Sequence, residues 1–472
     1  MRRERVAKKE FVMKRKTVVS FILLCSIICC LLYNQKSTYA KEVNDEEEIE
    51  QLIRETKTKA KIPSISVVTV ENGKVQYYGD DSKKLYEIGS MTKAFTALGI
   101  LYLSKQGQLD LDAEVQMYLH DFAPTYKGKK VSVTVNDLLY QTSGYTNSEK
   151  DYPSATANMS LKDWYDTIYN APLTFAPGTQ YAYSNTNYNL LGMLIERVSG
   201  QSYAAFMQEK ILKPLNLEHT FCGNENLTQD MISGKRLGYG FTFNYEQPIA
   251  PGTIPAGYFL SNIEDMGQWI AIQLGTADIP NEYEELILQS HELDTNRNAG
   301  GNDYYAGWIT YDDGIMGHSG GTCNYSSRLL YDRKDDIGVC VLTNLNAVAS
   351  TDRLCEQILA RKQGKEIPKF CYDVWRIFDI IFTVVTIVAL VMMVVFRYAL
   401  KRKSKRMISI LCAILLSVLT ITFAIVIPFI FQASWVTIIR IWAPYSMGIG
   451  MLFLIICCAI GMHSCIKRSD KR

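Results

Sequence analysis

A chain of 472 residues is long enough for one large domain or two ordinary ones, and its 50 basic and 48 acidic side chains nearly cancel. The balance is uneven along the chain: residues 1–40 hold 9 basic and 2 acidic side chains, residues 371–472 hold 12 and 3, and residues 41–370 hold 29 and 43. An acidic middle between basic, apolar ends excludes the footprint of a nucleic-acid binder and fits a domain held at a membrane.

Lys14-Arg15-Lys16 precedes an apolar run from Val18 to Leu32, and Ser37-Thr38-Tyr39-Ala40 offers a small-residue cleavage site. Residues 1–40 therefore read as an export signal, cleaved or kept as an anchor, with Met13 as an alternative start. Residues 42–57 are charged with helical periodicity and read as an exposed first helix. Residues 64–70 and 75–78 are strand-like, joined at Asn72-Gly73, a hairpin turn signal. A short polar run, residues 85–89, then leads into residues 94–103, so apolar that a helix there would be buried on nearly all sides.

From about 105 to 300 the pattern is mostly helical, broken by Gly, Pro and Asn loops. Strand patterns return at 306–311, 326–331 and 337–343, and 347–362 reads as a closing helix. Early and late strands with helices between them predict an α/β (α+β) domain over 41–370: one antiparallel sheet flanked by helices, plus a helical lobe. A site is expected in the cleft between lobe and sheet.

Residues 371–472 read as a three-helix transmembrane domain with spans at 380–396, 408–431 and 446–462, each near the roughly 20 residues a bilayer needs. Between the first two lies a loop, 397–406, with six basic residues. Residues 435–445, with Arg440 and two tryptophans, read as an interfacial loop. The basic loop and tail belong in the cytoplasm by the positive-inside rule, which puts residue 370 outside, as an export signal requires. The chain is thus expected to be a multi-pass cell-membrane protein in contact with lipid. Seven of the 12 cysteines lie in the apolar ends, no C-x-x-C occurs, and the five histidines lack ligand spacing, so no disulfide framework, metal or other cofactor is expected.

Chemistry is suggested by three blocks. In Ser90-Met91-Thr92-Lys93 the serine opens the apolar helix, and the lysine, three residues on, shares its face. A lysine at a helix N-terminus opposes the macrodipole and is hard to desolvate, so its neutral, proton-accepting form is favoured. Serine is a weak nucleophile until such a base takes its proton. Taken alone the pattern also describes an N-cap with an exposed lysine, and Ser464-Cys465-Ile466-Lys467 shows it arising by chance. Second, Pro177-Gly178 starts a polar loop carrying Tyr183-Ser184-Asn185 into an apolar helix; the phenol can relay a proton and the amide can hold a substrate carbonyl or the lysine. Tyr145-Thr146-Asn147 shows how common Y-x-N is. Third, Met316-Gly317-His318-Ser319-Gly320-Gly321-Thr322 places glycines where a backbone approaches a ligand.

In this order the three blocks resemble the serine β-lactamase and penicillin-binding-protein superfamily, in its class C β-lactamase-related branch. Ser90–Lys93, Tyr183–Asn185 and His318–Gly320 match its motifs; segments 138–144, 255–258 and Gly307-Trp308 fit as well, and the resemblance spans about 60 to 360. It implies a β-lactamase/transpeptidase-like fold with Ser90 as acylated nucleophile, Lys93 and Tyr183 as bases, and Asn185, His318, Ser319 and Gly320 contacting substrate. The amides of Ser90 and Gly321 would form the oxyanion hole. Which of Lys93 and Tyr183 takes the first proton stays open.

His318 departs from the lysine of the lactamases and transpeptidases. A neutral imidazole holds a carboxylate less strongly than an ammonium does, which fits esterases, D-aminopeptidases and amidases better than β-lactam hydrolysis. With three C-terminal spans the chain resembles the membrane peptidases that remove an N-acyl-D-asparagine leader in colibactin or zwittermicin maturation. The expected partner is therefore a small-molecule, peptide or cell-envelope substrate, D-configured or lipid-linked. Competing readings are a penicillin-binding envelope protein (D-Ala esterase or carboxypeptidase, or an acylated β-lactam sensor) and an idle binding protein. Oligomeric state is not legible.

Overall fold

The structure is a computed structural model and describes residues 45–147, 158–223, 230–247, 250–294, 297, 303–311, 313–399, 406–431 and 433–466. The export signal, the alternative start, residues 400–405 of the basic loop and the tail 467–472 lie outside the described residues.

Helix α1 (Asp45–Ala60) starts on Asp45, Glu46, Glu47 and Glu48 and ends with Lys57 and Lys59, charges that complement its dipole. Its Ile49, Ile53, Thr56 and Ala60 recur every three or four residues and are buried, so a helix expected to be exposed lays one face on the domain. Strands β1 (Ile65–Glu71) and β2 (Lys74–Gly79) follow, linked by Asn72 (φ 50°) and Gly73 (φ 72°), the two left-handed residues a type I′ hairpin needs. Strand β3 (Tyr86–Glu87) runs through a 3₁₀ turn, Gly89–Met91, into α2 (Thr92–Lys105), whose residues from Thr92 to Leu101 are all buried.

The middle contains the hairpins β4 (Thr125–Tyr126) to β5 (Lys129–Lys130) and β7 (Lys235–Gly238) to β8 (Phe241–Asn244). It also holds helix α3 (Asn185–Ser199), strand β6 (Phe221–Cys222), helix α4 (Ile254–Gly257), strand β9 (Phe259–Ser261) and helix α5 (Ile263–Leu274). The stretch is mostly helical as expected, with short strands that the pattern did not show, because two to four residues are too few to display a period of two.

Then come β10 (Tyr304–Tyr305), β11 (Trp308–Thr310), β12 (Met316–Gly321), β13 (Ser326–Asp332), β14 (Ile337–Thr343) and α6 (Val348–Lys362). The strand expected over 306–311 is shortened to β11, because Ala306 (φ 49°) and Gly307 (φ 85°) form the turn that joins it to β10.

The sheet runs β10-β11-β12-β13-β14-β1-β2, antiparallel throughout, with Ile65 opposite Thr343 where the two ends of the domain meet. Both of its faces are covered. α1 and α6 share one core with Val67, Val339 and Val341, while α2, α5 and the helical lobe share the other with Val68, Leu329 and Leu342. Strands β13 and β14 are buried along their whole length, which is why apolar residues stand on both of their faces.

Helices α7 (Val374–Ala399), α8 (Arg406–Phe431) and α9 (Tyr445–Ile466) are long and apolar enough to cross a membrane. Gly450 of α9 lies against the Phe382 carbonyl of α7, where a β-carbon would stand 3.0 Å from that oxygen, a small-residue contact typical of packed spans. Within residues 435–445, expected as an interfacial loop, the chain instead forms helical turns at Trp435–Thr437 and Ile438–Trp442. They pack on the β7–β8 hairpin, and residues 45–472 form one compact unit, so packing continues across the expected boundary at 370.

Candidate active site

Ser90 sits in the 3₁₀ turn ahead of α2, and the turn is pinned from several sides. Thr92 donates its hydroxyl to the Gly89 carbonyl (2.7 Å) and accepts the Phe259 N–H (3.1 Å). The Ser327 hydroxyl holds the Ile88 carbonyl (2.7 Å). Gly89 takes φ 54°, and a β-carbon there would fall 2.4 Å from the Gly321 nitrogen. That close approach brings the Ser90 turn against the end of β12, next to the Gly321 amide that was expected to pair with the Ser90 amide.

Lys93 is completely buried. Its Nζ lies 3.1 Å from the Ser90 Oγ, 2.8 Å from Asn185 Oδ1 and 2.5 Å from the Ala256 carbonyl oxygen. The last two can only accept. A neutral amine that gives its two N–H bonds to them has its lone pair left for the serine hydroxyl, the geometry a base requires. The Tyr183 ring stands beside this nitrogen, 4.8 Å from its centroid, and packs near Tyr304 and His318. Ser90, Lys93, Tyr183 and Asn185 are thus brought together as expected. Asn185 opens α3, its N–H held by Asn147 Oδ1 at 3.3 Å, so the Y-x-N at 145–147, which carried no special weight in the sequence, lies beside the site. Gln141, with φ 60°, receives the Ser184 N–H (3.0 Å) and fixes the loop that carries Tyr183.

The third block is itself a strand, and the alternation of β12 separates its residues. His318 faces the site, 4 % exposed. Its Nδ1 donates to the Ser319 carbonyl (2.5 Å), which leaves Nε2 as an acceptor, buried and without a partner among the described residues. Burial is the main force that pushes the imidazole down to about 3, so it stays neutral at physiological pH. Ser319 is a correction. Its hydroxyl donates to Asp352 (2.8 Å) and accepts from Arg328 Nη1 (2.6 Å), on the opposite face of the sheet under α6. At Gly320 a β-carbon would lie 2.1 Å from the Ile88 carbonyl oxygen, so a glycine there lets the serine turn pack closely on the sheet. Gly321 does line the pocket, together with Ser90, Asn185 and Ala256. Among the described residues no cluster of side chains could hold a metal ion, and the cysteines are free.

Nothing in the sequence marks Glu87, three residues before Ser90. It is buried, one oxygen meets Thr322 of the pocket wall, and Oε2 has no partner among the described residues. Burial pushes its carboxyl up to about 7. The folded state then holds a proton that the unfolded chain loses near the ordinary value of 4.5, so this group stabilises the fold at low pH and ceases to as pH rises through 7. Glu87→Gln is expected to raise the unfolding midpoint at pH 8 and leave it nearly unchanged at pH 4.5, read from thermal melts of the detergent-solubilised chain at both pH values.

Residues 49–361 match the family described as beta-lactamase. The "Protein flp" of Staphylococcus aureus (strain MRSA252) is 34% identical over 321 residues, 64% of either chain. "Penicillin-binding protein 4*" of Bacillus subtilis (strain 168) is 26% identical over 300 residues, 56% of this chain and 64% of its own. The chain therefore spans about 64% of the length of the curated relatives it matches. Among solved structures, an octameric penicillin-binding protein homologue from Pyrococcus abyssi superposes with a TM-score of 0.59 at 26% identity, covering 72% of this chain and 81% of the other. A class C beta-lactamase superposes at 0.58 with 18% identity, covering 68% and 98%, a likeness of fold. The chain belongs to the beta-lactamase family of serine hydrolases.

Proposed function

We propose that this protein is a membrane-anchored serine amidase or peptidase that works through a Ser90 acyl-enzyme and takes substrates carrying a hydrogen-bond donor, rather than a carboxylate, at the His318 wall. The observation that carries the reading is the buried contact of Lys93 with Ser90, Asn185 and the Ala256 carbonyl. It supports Lys93 as the base that activates the serine, with Tyr183 placed to return the proton to the leaving group. The unpartnered Nε2 of a neutral His318, whose ring lies 6.0 Å from that of Tyr183, supports the second half: a buried acceptor favours an amide N–H, hydroxyl or ammonium and rejects an anion. D-configured and lipid-linked acyl amides belong to this class, with the catalytic domain outside the cell.

A penicillin-binding role in the envelope is the second reading, favoured by the names of the Bacillus and Pyrococcus relatives. A panel of N-acyl-D- and N-acyl-L-aminoacyl amides, each paired with its free carboxylate, separates the two. The first reading expects kcat/KM to favour the amide by at least about 100-fold, because a buried group left unpaired discriminates strongly. His318→Lys is expected to reverse that preference. Equal turnover of amide and carboxylate by the wild type, or slow deacylation after labelling with a penicillin, would favour the second.

A further inference from the structure

The pocket at Ser90 is closed on one side by residues that lie far away in the sequence. Ile441 and Trp442, from the turns between α8 and α9, line it together with Ser90, Asn185 and Gly321. Ile441 is buried at 3 % exposed, while the indole of Trp442 is half-buried at the mouth.

This wall is held in place by a specific latch. Arg236 of β7, 5 % exposed, donates from Nε to the Ala443 carbonyl (2.8 Å), from Nη1 to the Arg440 carbonyl (3.0 Å) and from Nη2 to the Ile439 carbonyl. These carbonyls end a helical turn, where backbone acceptors lack partners within the helix and a cation is favoured. The Tyr245 hydroxyl donates to the same Arg440 carbonyl (2.9 Å), and the guanidinium lies over the Tyr245 and Tyr445 rings. A second anchor lies at the tip of the hairpin. Asp379 of α7, with no exposed surface, accepts the Tyr239 N–H (2.7 Å), the Gly240 N–H (2.8 Å) and the Ser446 hydroxyl (2.7 Å), and pairs with Arg376 (2.8 Å). The β7–β8 hairpin is therefore clamped between α7 and α9.

We infer that Ile441 and Trp442 form a substrate-contacting wall of the active site, set by the Arg236 latch, so that the three apolar helices complete the catalytic pocket as well as anchoring it. The wall is apolar and faces the serine, so it takes the apolar flank of the substrate beside the scissile bond. Arg236 is a positioning residue, since it acts only through the turn it holds. The inference rests on Ser90 being the acylated nucleophile.

The test uses the full chain in detergent with acyl amides graded in the size of the group next to the scissile bond. Trp442→Ala is expected to raise KM at least about tenfold for the bulkiest members, with a smaller effect on kcat, because loss of an apolar contact weakens binding before it touches the chemistry. Arg236→Ala is expected to do the same, and Arg236→Ala with Trp442→Ala to be no worse than either alone, the signature of two residues acting through one structure. Arg236→Lys, which keeps the charge and loses the three-carbonyl fork, serves if the alanine variant fails to fold. Trp435→Ala is the control: that indole donates to the Ala424 carbonyl of α8 and does not line the pocket. A fluorophosphonate carrying a tryptophan-quenched dye gives a readout apart from turnover, with quenching on Ser90 relieved by Trp442→Phe and untouched by Trp435→Phe. Unchanged KM and quenching in the Trp442 and Arg236 variants of an active, labelled enzyme would overturn the inference and leave the hydrolase reading standing. A wild type that is never labelled at Ser90 would overturn both.

Discussion

Lys93→Ala, with Ser90 untouched, is expected to lower kcat by about four orders of magnitude or more, close to the loss from Ser90→Ala itself. The reasoning is geometric. The amine contacts the nucleophile at 3.1 Å and is oriented by two acceptors, so removing it takes away the proton acceptor and leaves the Asn185 amide and the Ala256 carbonyl facing a void. Groups that act as one unit are non-additive, so Ser90→Ala with Lys93→Ala should be no slower than either single variant. Lys93→Arg separates charge from basicity: it restores a cation but cannot accept the proton, and should be as inactive as alanine. Stopped-assay kinetics with mass spectrometry of the fluorophosphonate-labelled chain check both the rate and the acylation. Substantial turnover by Lys93→Ala would move the role of first base to Tyr183.

Much of this site was legible because its parts are local. The apolar run after Ser90 can only be a buried helix, and a serine and lysine three apart at its start must share a face; the structure adds the acceptors that orient the lysine. The middle of the sheet was legible for the same reason, as residues 337–343 read as strand and form β14 as Ile337–Thr343. Ser319 was misplaced because glycines at 317, 320 and 321 hid the period of two in β12; once the segment is a strand, neighbours 318 and 319 must face opposite sides. The β7–β8 hairpin was missed because its turn, Tyr239 (φ 55°) then Gly240 (φ 80°), puts an aromatic residue where Asn or Gly is usual. What allows it is not local: the Asp379 carboxylate takes both turn N–H groups. The Trp442 wall escaped for the same reason, since nothing near Ser90 in sequence says which distant segment closes the pocket.

Gly307→Ala is expected to be among the most damaging small changes outside the pocket. Two costs add there. The residue sits at φ 85°, a conformation that costs an L-residue about 1 kcal/mol or more. In addition, a β-carbon would stand 2.4 Å from the Ala94 nitrogen and 2.7 Å from the Lys93 carbonyl carbon, against the backbone of α2. A rigid helix in a packed core cannot yield as a side-chain tip does, and overpacking of this kind costs about 1–3 kcal/mol more. Gly107→Ala isolates the first cost: it follows α2, has φ 68°, and nothing stands within 4 Å of its would-be β-carbon. Thermal melts followed by tryptophan fluorescence should show Gly307→Ala destabilised about two to four times as much as Gly107→Ala. The fraction that remains folded should also lose kcat, because the atoms that must shift begin at Lys93. A Gly307→Ala enzyme that melts like Gly107→Ala and keeps wild-type turnover would show that the β10–β11 turn can draw back from α2, and that the base is not held by that contact.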